Sequence, residues 1–416
     1  RHIDLKEILS LAARRWDGGY VMAGVIGHGD AFVMRDPCGI RPAYYYRDDE
    51  VVVAASERAV IQTTFNVPYE KVQELTPGHA LLVRRDGEVA DERFIAPQEV
   101  RPCSFERIYF SRGSDQDIYC ERKELGRLLV PQILTSIAGD IENTVFSYIP
   151  NTAESAFFGL VEGLDAHCAE TRVQKIMDGR DTLTEERLHE ILRYKARIEK
   201  IAIKDVKMRT FITQDYERDD LVAHVYDVTY GTIRPDADNL VILDDSIVRG
   251  TTLRRSIIRI LDRLRPKKIV VCSSAPQIRY PDCYGIDMSR LGDFVAFRAA
   301  IELLKERGMN DVIDEVYRKA KIQMGLERSE AVNCVKKIYE PFTDEEISAK
   351  IAQIVTAPDI HAGVEVVYQS VENLHKAIPH HNGDWYFTGD YPTPGGNVVA
   401  NKAFINFYEN RNERAY

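Results

Sequence analysis

The sequence lacks several features that would place it in a specialised class. No apolar run in its 416 residues approaches the length that crosses a membrane, and no signal-peptide pattern opens it. Its seven cysteines are scattered without any Cys-x-x-Cys pair, which is typical of a reducing cytoplasm. Positive charge is also in deficit, since 55 Lys and Arg against 65 Asp and Glu give a net charge of −10. We therefore expect a cytoplasmic protein that neither enters a membrane nor makes wide contact with nucleic acid.

Composition is typical of an ordinary globular enzyme. Hydrophobic residues make up 44% and charged residues 29%, and 416 residues suffice for two or three domains with sizeable cores. The acidic net charge still leaves room for a local basic site that binds a small phosphorylated ligand.

Residues 1–100 are predicted to be rich in β-strands. Short apolar runs alternate with turn residues such as Gly27–Asp30, a pattern typical of hairpins. The predicted strands are 20–26, 31–34, 42–46, 51–55 and 75–83, the last of them entered through a turn. Antiparallel strands in quick succession predict a domain built on sheet layers.

From about residue 104, predicted strands alternate with predicted helices. The strands are 105–110, 144–149, 240–243 and 268–273, and the helices are 121–138, 153–164 and 252–264. This alternation indicates a doubly wound parallel sheet, in which ligands bind at the carboxyl ends of the strands. After about residue 340 the chain is predicted to be helical and then loop-rich, and Tyr391–Gly396 is predicted to be irregular.

The most informative stretch is 239–252, NLVILDDSIVRGTT. Its apolar residues predict a strand buried on both faces, and Asp244 and Asp245 stand where that strand ends. Adjacent carboxylates repel each other. Vicinal ribose hydroxyls or a hard metal cation would compensate that repulsion.

The residues that follow the acidic pair suit a phosphate group. Gly250 permits close backbone approach, and a helix starting near Thr252 would offer free amides and its positive dipole end. Ser246, Thr251 and Thr252 can donate hydroxyls as well. The alternative interpretation is a purely structural one, in which the stretch forms a strand, a turn and an acidic helix N-cap. This combination is common in α/β proteins. The whole stretch, with its apolar lead and Gly-Thr-Thr helix start, favours a site for phosphoribosyl pyrophosphate.

Residues 241–252 closely resemble the phosphoribosyl pyrophosphate motif of type I phosphoribosyltransferases. The match is to the version found in the amidophosphoribosyltransferase family, glutamine-using enzymes that begin purine synthesis. The resemblance is collinear over most of the chain. Further segments similar to that family are 35–42, 55–57, 75–78, 103–112, 275–288 and 384–392.

The resemblance implies a fold of mixed α/β and α+β class. Residues 1–100 would form a partial N-terminal-nucleophile glutaminase sheet domain, and 101–340 a type I phosphoribosyltransferase domain with a doubly wound parallel sheet. Residues 341–416 would be a C-terminal helical and loop extension. A charged helical insertion is expected near 170–200, and such an element is more often solvated or in contact with another subunit than catalytic.

The resemblance also implies site residues. Phosphoribosyl pyrophosphate would be bound by Arg209, Asp244, Asp245, Ser246, Ile247, Val248, Arg249, Gly250, Thr251 and Thr252. Mg²⁺ would be bound by Thr152, Asp244 and Asp245, with Thr152 lying in a pyrophosphate-side loop at 148–152. An ordinary helix N-cap before Ala153 explains Thr152 equally well. Arg209 belongs to a segment leading into a loop that is expected to close over the substrate.

The chain departs from the family pattern at the glutaminase site. The family's nucleophile is an N-terminal cysteine whose own α-amine serves as the base, whereas this chain begins at Arg1, so the nucleophile Cys is absent from this chain. We expect that a preceding segment carries it. Cys38 is a poor substitute, because it is predicted to lie in a turn with no adjacent base.

Two further departures concern cations and metals. The stretch 217–231 holds fewer cations than its counterpart in the family, so either Arg218 and His224 substitute for them or affinity falls. Cys103 and Cys283 lie at or beside two positions that hold an iron–sulfur cluster in some relatives. Such clusters need four ligands and the Cys-x-x-Cys pair is missing, so buried free thiols are expected instead.

The leading hypothesis is an amidophosphoribosyltransferase. Glutamine would be hydrolysed in the first domain, and ammonia would displace pyrophosphate from phosphoribosyl pyrophosphate with Mg²⁺ assistance. The product would be 5-phosphoribosylamine, in the first step of de novo purine (IMP) biosynthesis. A regulatory protein that only binds phosphoribosyl pyrophosphate and a catalytically reduced paralogue are the alternatives. The expected partners are phosphoribosyl pyrophosphate, glutamine and inhibitory purine nucleotides, in a homo-oligomer.

Overall fold

The computed structural model describes residues 4–204, 226–251, 253–286 and 288–415. The strands are Val21–Val25 (β1), Ala31–Arg35 (β2), Tyr44–Arg47 (β3), Val52–Ala55 (β4), Gln73–Glu74 (β5), His79–Val83 (β6), Val89–Arg93 (β7), Thr144–Tyr148 (β8), Arg197–Ile198 (β9), Ala202–Lys204 (β10), Tyr226–Val228 (β11), Asn239–Asp244 (β12), Lys268–Ser273 (β13) and Gly363–Tyr368 (β14). The α-helices are Leu5–Ala13 (α1), Arg58–Phe65 (α2), Gln116–Leu128 (α3), Val130–Ser136 (α4), Glu154–Asp178 (α5), Glu185–Leu192 (α6), Ile258–Asp262 (α7), Val295–Glu306 (α8), Asn310–Gln323 (α9), Asp344–Val355 (α10), Val371–Ala377 (α11), Trp385–Thr388 (α12) and Pro394–Tyr408 (α13). Glu106–Phe110 and Leu253–Ile257 are π-helical.

Two antiparallel sheets form the first part of the chain. One has the strand order β1-β2-β6-β7 and the other β4-β3-β5. The predicted first hairpin is confirmed, since Val21 pairs with Arg35 and Val25 with Ala31. Tyr45 of one sheet and Leu81 of the other belong to the same buried cluster. Sheet layers therefore account for the short apolar runs of residues 1–100.

The segment 35–42 is held by a buried network of hydrogen bonds. Arg35 is 2% exposed and donates to the carbonyls of Arg41 (2.7 Å), Leu75 (2.7 Å) and Gly39 (3.0 Å). Asp36 is fully buried and accepts from the amide of Ile40 at 3.0 Å. Buried charges need such partners. The segment 35–42, one of those that resemble the family, therefore forms a turn that its own buried side chains hold in place.

A parallel five-stranded sheet forms the second part, in the order β14-β13-β12-β8-β9. Strand β12 is central and buried along both faces. Leu240 and Ile242 pack in the cluster that includes helices α8 and α10, whereas Val241 and Leu243 pack in the cluster that includes α4 and α5. Helices on both faces give the doubly wound architecture, so the predicted fold class is confirmed.

Several predicted elements are wrong in type or extent. Residues 105–110, predicted as a strand, form a π-helical turn in which the Phe105 ring stacks on Tyr109 with centroids 5.8 Å apart. Residues 121–138 form two helices, because Pro131 lies in the first turn of α4. The helix predicted at 153–164 continues to Asp178. The segment Tyr391–Gly396 is not wholly irregular, since Pro394 begins helix α13.

The last part of the chain completes the parallel sheet. Strand β14 was not predicted, yet it pairs in parallel with β13, Val366 opposite Val271. Residues beyond 340 therefore contribute to the sheet itself, while the domain boundaries at 100 and 340 stay predictions. Trp385 and Tyr386 are fully buried in a cluster shared with Ile40 and Phe105. Among the helices of the described residues, none is long and apolar enough to cross a bilayer.

Candidate functional site

The candidate site is a cleft at the carboxyl ends of strands β8 and β12. Its volume is about 510 Å³. The loop 149–152 after β8 forms one wall and the loop 244–251 after β12 forms the floor. Phe105, Tyr109 and Phe110 form a second wall. The position agrees with the rule that open parallel sheets bind ligands at the carboxyl ends of their strands.

The backbone of the acidic pair is fixed by the neighbouring strands. The amide of Ser274 donates to the carbonyl of Asp244 at 3.0 Å, and the amide of Ala275 donates to the carbonyl of Asp245, also at 3.0 Å. On the other side, the amide of Ile149 donates to Leu243 at 2.8 Å. The two carboxyl groups are therefore held in place by the sheet, as a preorganised site requires.

The side chains of the pair carry unfavourable charge. Burial and then the charge of Asp245 raise the pKa of Asp244 well above its usual range. Burial also raises the pKa of Asp245, and hydrogen bonds from Ser246 and Thr152 and the charge of Arg122 oppose that rise. The Ser246 hydroxyl donates to Asp245 Oδ1 at 2.9 Å. Two crowded carboxylates of this kind gain stability from a cation or from hydroxyl donors.

Thr152 takes part in this arrangement rather than capping a helix. Helix α5 begins at Glu154, its N-cap is Ala153, and no side chain caps it. The Thr152 side chain instead lies close enough to Asp245 to oppose the rise in the pKa of that carboxyl group. The N-cap alternative for Thr152 is therefore wrong, and the metal-binding role stays a prediction.

The loop after the acidic pair approaches its surroundings closely at Gly250. Gly250 has a φ of 69°, and a Cβ atom there would lie 3.1 Å from Val355 Cγ1 and 3.2 Å from Val295 Cγ2. The amide of Val295 also donates to the carbonyl of Val248 at 2.9 Å. Only glycine combines this backbone conformation with this space, so the loop shape depends on Gly250.

The predicted binding residues divide by what they present to the cleft. Asp244–Thr251 all line it. The side chain of Ile247 is buried in the core at 5% exposure, so this residue offers its backbone. Arg249 is exposed and its guanidinium lies 3.7 Å from Asp293. Arg209, Arg218, His224 and Thr252 lie outside the described residues.

Sequence reasoning missed part of the cleft wall. Tyr109 and Phe110 line the cleft from the π-helical turn, and Met288 lines it from the segment after β13. The charges of Asp245 and Asp244, after burial, help to raise the pKa of the Tyr109 phenol, which places that ring near the acidic pair. In the sequence, these residues could have been suspected only because 103–112 and 275–288 resemble one family. That resemblance does not indicate which side chains line the cleft.

The cysteines near these segments are inert thiols. Burial, followed by the charge of Asp36, raises the pKa of Cys38 to about 12. Its Sγ lies 3.2 Å from Gln98 Oε1, a hydrogen-bond partner and not a base. Burial also raises the pKa of Cys103 and of Cys283. Within the described ranges, no group of three or more His, Cys, Asp or Glu side chains is placed to hold a metal ion.

The sequence is similar to curated proteins named amidophosphoribosyltransferase. The one from Haemophilus influenzae is 28% identical over 299 residues, covering 70% of this chain and 52% of that protein. The one from Pasteurella multocida is 27% identical over 306 residues, covering 71% and 54%. The chain thus spans about half the length of the curated relatives it matches. No protein-family model matches the chain.

Two solved structures share the fold. A glutamine phosphoribosylpyrophosphate amidotransferase from B. subtilis, complexed with ADP and GMP, superposes with a TM-score of 0.60 at 24% identity, covering 94% of this chain and 68% of that one. A structure described as the allosteric regulatory enzyme of purine biosynthesis gives a TM-score of 0.61 at 23% identity, covering 94% and 66%. At these identities the likeness establishes the architecture of the chain.

Proposed function

We propose that this chain is the phosphoribosyl-transferring part of an amidophosphoribosyltransferase. The observation that carries the proposal is the acidic pair Asp244 and Asp245, held by both neighbouring strands and followed by a glycine loop, at the floor of a cleft of about 510 Å³. The similarity to proteins named amidophosphoribosyltransferase supports it.

The donor set fits a Mg²⁺ ion that arrives with its substrate. Two carboxyl groups and the Thr152 hydroxyl are hard oxygen donors, which is what Mg²⁺ prefers. Two carboxylates alone are too few for a closed metal site, so substrate phosphate and ribose oxygens would complete the coordination. When bound, Mg²⁺ supplies charge neutralisation of the pyrophosphate leaving group.

The residues of the chain would act through position and charge. Asp244 and Asp245 would orient the ribose hydroxyls by accepting hydrogen bonds from them. The backbone amides of the loop 246–251 would donate hydrogen bonds to the 5-phosphate. Ammonia would attack the ribose carbon, pyrophosphate would leave, and 5-phosphoribosylamine would form. No covalent enzyme intermediate is needed, so the acceleration would come from orientation and charge neutralisation.

The wider assignment follows the same proposal. The nitrogen would come from glutamine through a glutaminase site. Purine nucleotides would inhibit a cytoplasmic homo-oligomer, and a relative solved with ADP and GMP is consistent with this. The charged segment 170–200 would contact solvent or a neighbouring subunit.

The test is Mg²⁺-dependent pyrophosphate release by the natural full-length protein, with phosphoribosyl pyrophosphate and either ammonia or glutamine. Changing both Asp244→Asn and Asp245→Asn should lower the ammonia-dependent rate by roughly 100-fold or more, because the ribose and metal contacts are lost. Asp311→Asn is the matched control, since Asp311 is exposed on helix α9. Binding of phosphoribosyl pyrophosphate without turnover with either nitrogen donor would instead favour a regulatory or catalytically reduced protein. Unchanged activity in the double variant would remove the site assignment.

A further inference from the structure

Arg122 is a buried guanidinium that lies behind the aromatic wall of the cleft. It is 4% exposed, on helix α3. Its Nε donates to the carbonyl of Arg107 at 2.8 Å, and its Nη2 donates to the carbonyl of Ser111 at 2.6 Å. These two carbonyls belong to the two ends of the π-helical turn that carries Tyr109 and Phe110. One planar side chain therefore ties both ends of that turn.

The same side chain also lies near helix α5 and within electrostatic reach of Asp245. A Cβ atom added to Gly113 would lie 3.1 Å from Arg122 Nη1 and 3.4 Å from Ser155 Oγ. The guanidinium thus shares a close neighbour with the first turn of helix α5, which follows the loop containing Thr152. The charge of Arg122 also opposes the rise in the pKa of Asp245, so the two groups lie within electrostatic reach.

Arg122 remains charged at neutral pH despite its burial. Burial lowers its pKa to about 10, and the negative charges of Asp245, Glu121 and Glu57 oppose that change while Arg107 adds to it. A buried cation is costly unless it is paired and hydrogen-bonded.

We propose that Arg122 is a positioning residue for the phosphoribosyl site, which fixes the aromatic wall formed by Tyr109 and Phe110 over Asp244 and Asp245. The inference rests on the proposed function, because the wall matters only if a reaction takes place against it. Arg122 touches backbone carbonyls and does not itself line the cleft. Its effect on the reaction would pass through the turn that it holds.

The geometry predicts which kinetic constant should change. The substrate phosphates would be bound by the loop 246–251, to which Arg122 makes no hydrogen bond among the described residues. Loosening the aromatic wall should therefore lower kcat for the ammonia-dependent reaction by roughly 10-fold to 100-fold, since small misplacements near a reacting centre are costly. The KM for phosphoribosyl pyrophosphate should stay within about threefold.

The experiment compares Arg122→Gln, Arg122→Lys and Arg127→Gln in the full-length protein. Arg122→Gln removes the guanidinium group, whose Nε and Nη2 donate to the carbonyls of Arg107 and Ser111. Arg122→Lys keeps a donor and the charge and should restore part of kcat, because an ammonium cannot reproduce the planar guanidinium. Arg127→Gln is the matched control, on the same helix but exposed and paired with Glu124.

Hydrogen exchange provides a readout that does not depend on activity. Mass spectrometry of peptides covering residues 105–111 should show faster exchange in Arg122→Gln than in the wild type, and unchanged exchange in Arg127→Gln. A kcat within threefold of wild type, or wild-type exchange at 105–111, would overturn the proposal. If Arg122→Gln does not fold, Arg122→Lys decides by exchange, and wild-type exchange at 105–111 in that variant would overturn the proposal. If the wild type releases no pyrophosphate, the proposed function fails, and the exchange comparison alone decides whether Arg122 holds the turn.

Discussion

Asp36, which is fully buried, and Asp244, which lines the cleft, play opposite roles in the two halves of the chain. Both Asp36 oxygens accept backbone amides, Oδ1 from Ile40 at 3.0 Å and Oδ2 from Arg41 at 3.2 Å. Asp244 accepts one hydrogen bond, from the amide of Asp245 at 2.9 Å, and faces a second carboxyl group. Burial raises the pKa of Asp36 as well, but the amides of Ile40 and Arg41 oppose that rise and tie the carboxyl group into a turn. At Asp244, burial and the charge of Asp245 both raise the pKa, so this carboxyl group is kept at a cost in stability. A conflict of this kind is typical of functional sites.

We predict that Asp244→Asn stabilises the substrate-free protein at pH 7. The pKa of Asp244 in the folded state is raised, so the folded protein binds a proton more tightly than the unfolded chain. Stability is therefore greatest at low pH for this group and falls as pH rises from about 4 through the raised pKa. Asparagine removes that cost, about 1.4 kcal/mol for each unit of raised pKa. Thermal unfolding of the wild type and of Asp244→Asn between pH 4 and 8 measures the difference in stability at each pH.

Asp36→Asn is the contrasting variant. Asparagine has a single acceptor oxygen, so amide hydrogen bonds that now reach both oxygens of Asp36 would be lost. It should destabilise the protein by about 1–3 kcal/mol.

A lower melting temperature for Asp244→Asn than for the wild type at pH 7 would contradict the prediction that the Asp244 carboxyl group is destabilising.

At the scale of elements, helices α3 and α5 cross with their backbones in contact. A Cβ atom at Gly126 would lie 1.7 Å from the carbonyl oxygen of Ala156, and one at Gly159 would lie 1.7 Å from the carbonyl oxygen of Lys123. Glycine within a helix costs about 1 kcal/mol relative to alanine, so close packing must offset that loss. This crossing sets Arg122 on α3 against the first turn of α5.

We predict that Gly159→Ala destabilises the protein by about 2–4 kcal/mol, because the methyl group has no space and the two helices must separate. Chemical unfolding in urea measures the change in the free energy of unfolding. Gly27→Ala is the control, since no atom lies within 4 Å of an added Cβ there and the change should be within about 0.5 kcal/mol. A Gly159→Ala protein as stable as the control would show that the helices do not cross as described.

At the scale of the molecule, one buried cluster joins segments that are distant in sequence. It contains Ile40 from the turn between β2 and β3, Phe105 from the start of the π-helical turn, Ile278 after β13 and Trp385 from α12. Arg41 adds an ion pair with Glu106 at 2.6 Å and a hydrogen bond to the carbonyl of Tyr284. These contacts predict that the π-helical turn 106–110 and the segment around Trp385 unfold in the same transition as the two groups of sheets.

The two tryptophans allow a direct measurement of this cooperativity. Trp385 is fully buried and Trp16 is 40% exposed, so Trp16→Phe leaves one reporter inside the shared cluster. We expect its blue-shifted emission and the far-UV circular dichroism to change at the same urea concentration. A fluorescence transition at lower urea than the circular dichroism transition would mean that the C-terminal segment separates first.

Much of the architecture follows from local patterns in the sequence. Alternating short strands predicted the first sheets, and buried strands between helices predicted the doubly wound sheet, both of which the structure contains. The strand, acidic pair and glycine loop of 239–251 were predicted in the right order, because strand burial, adjacent charge and glycine turns are properties of neighbouring residues. Strand β14 was missed, since a six-residue segment with a few apolar residues around Glu365 does not by itself distinguish a strand from a helix.

The sequence by itself determined where the proposed phosphoribosyl site would lie along the chain, because its acidic pair and loop occupy one strand end and the residues that follow. Only the tertiary structure decided which other residues surround it. Tyr109 reaches the cleft because residues 106–110 coil as a π-helical turn, and Arg122 holds that turn from a different helix. Thr152 meets Asp245 across 93 residues of sequence because β8 and β12 are neighbours in the sheet. Contacts of this kind depend on packing between distant segments, which no local period or charge pattern encodes.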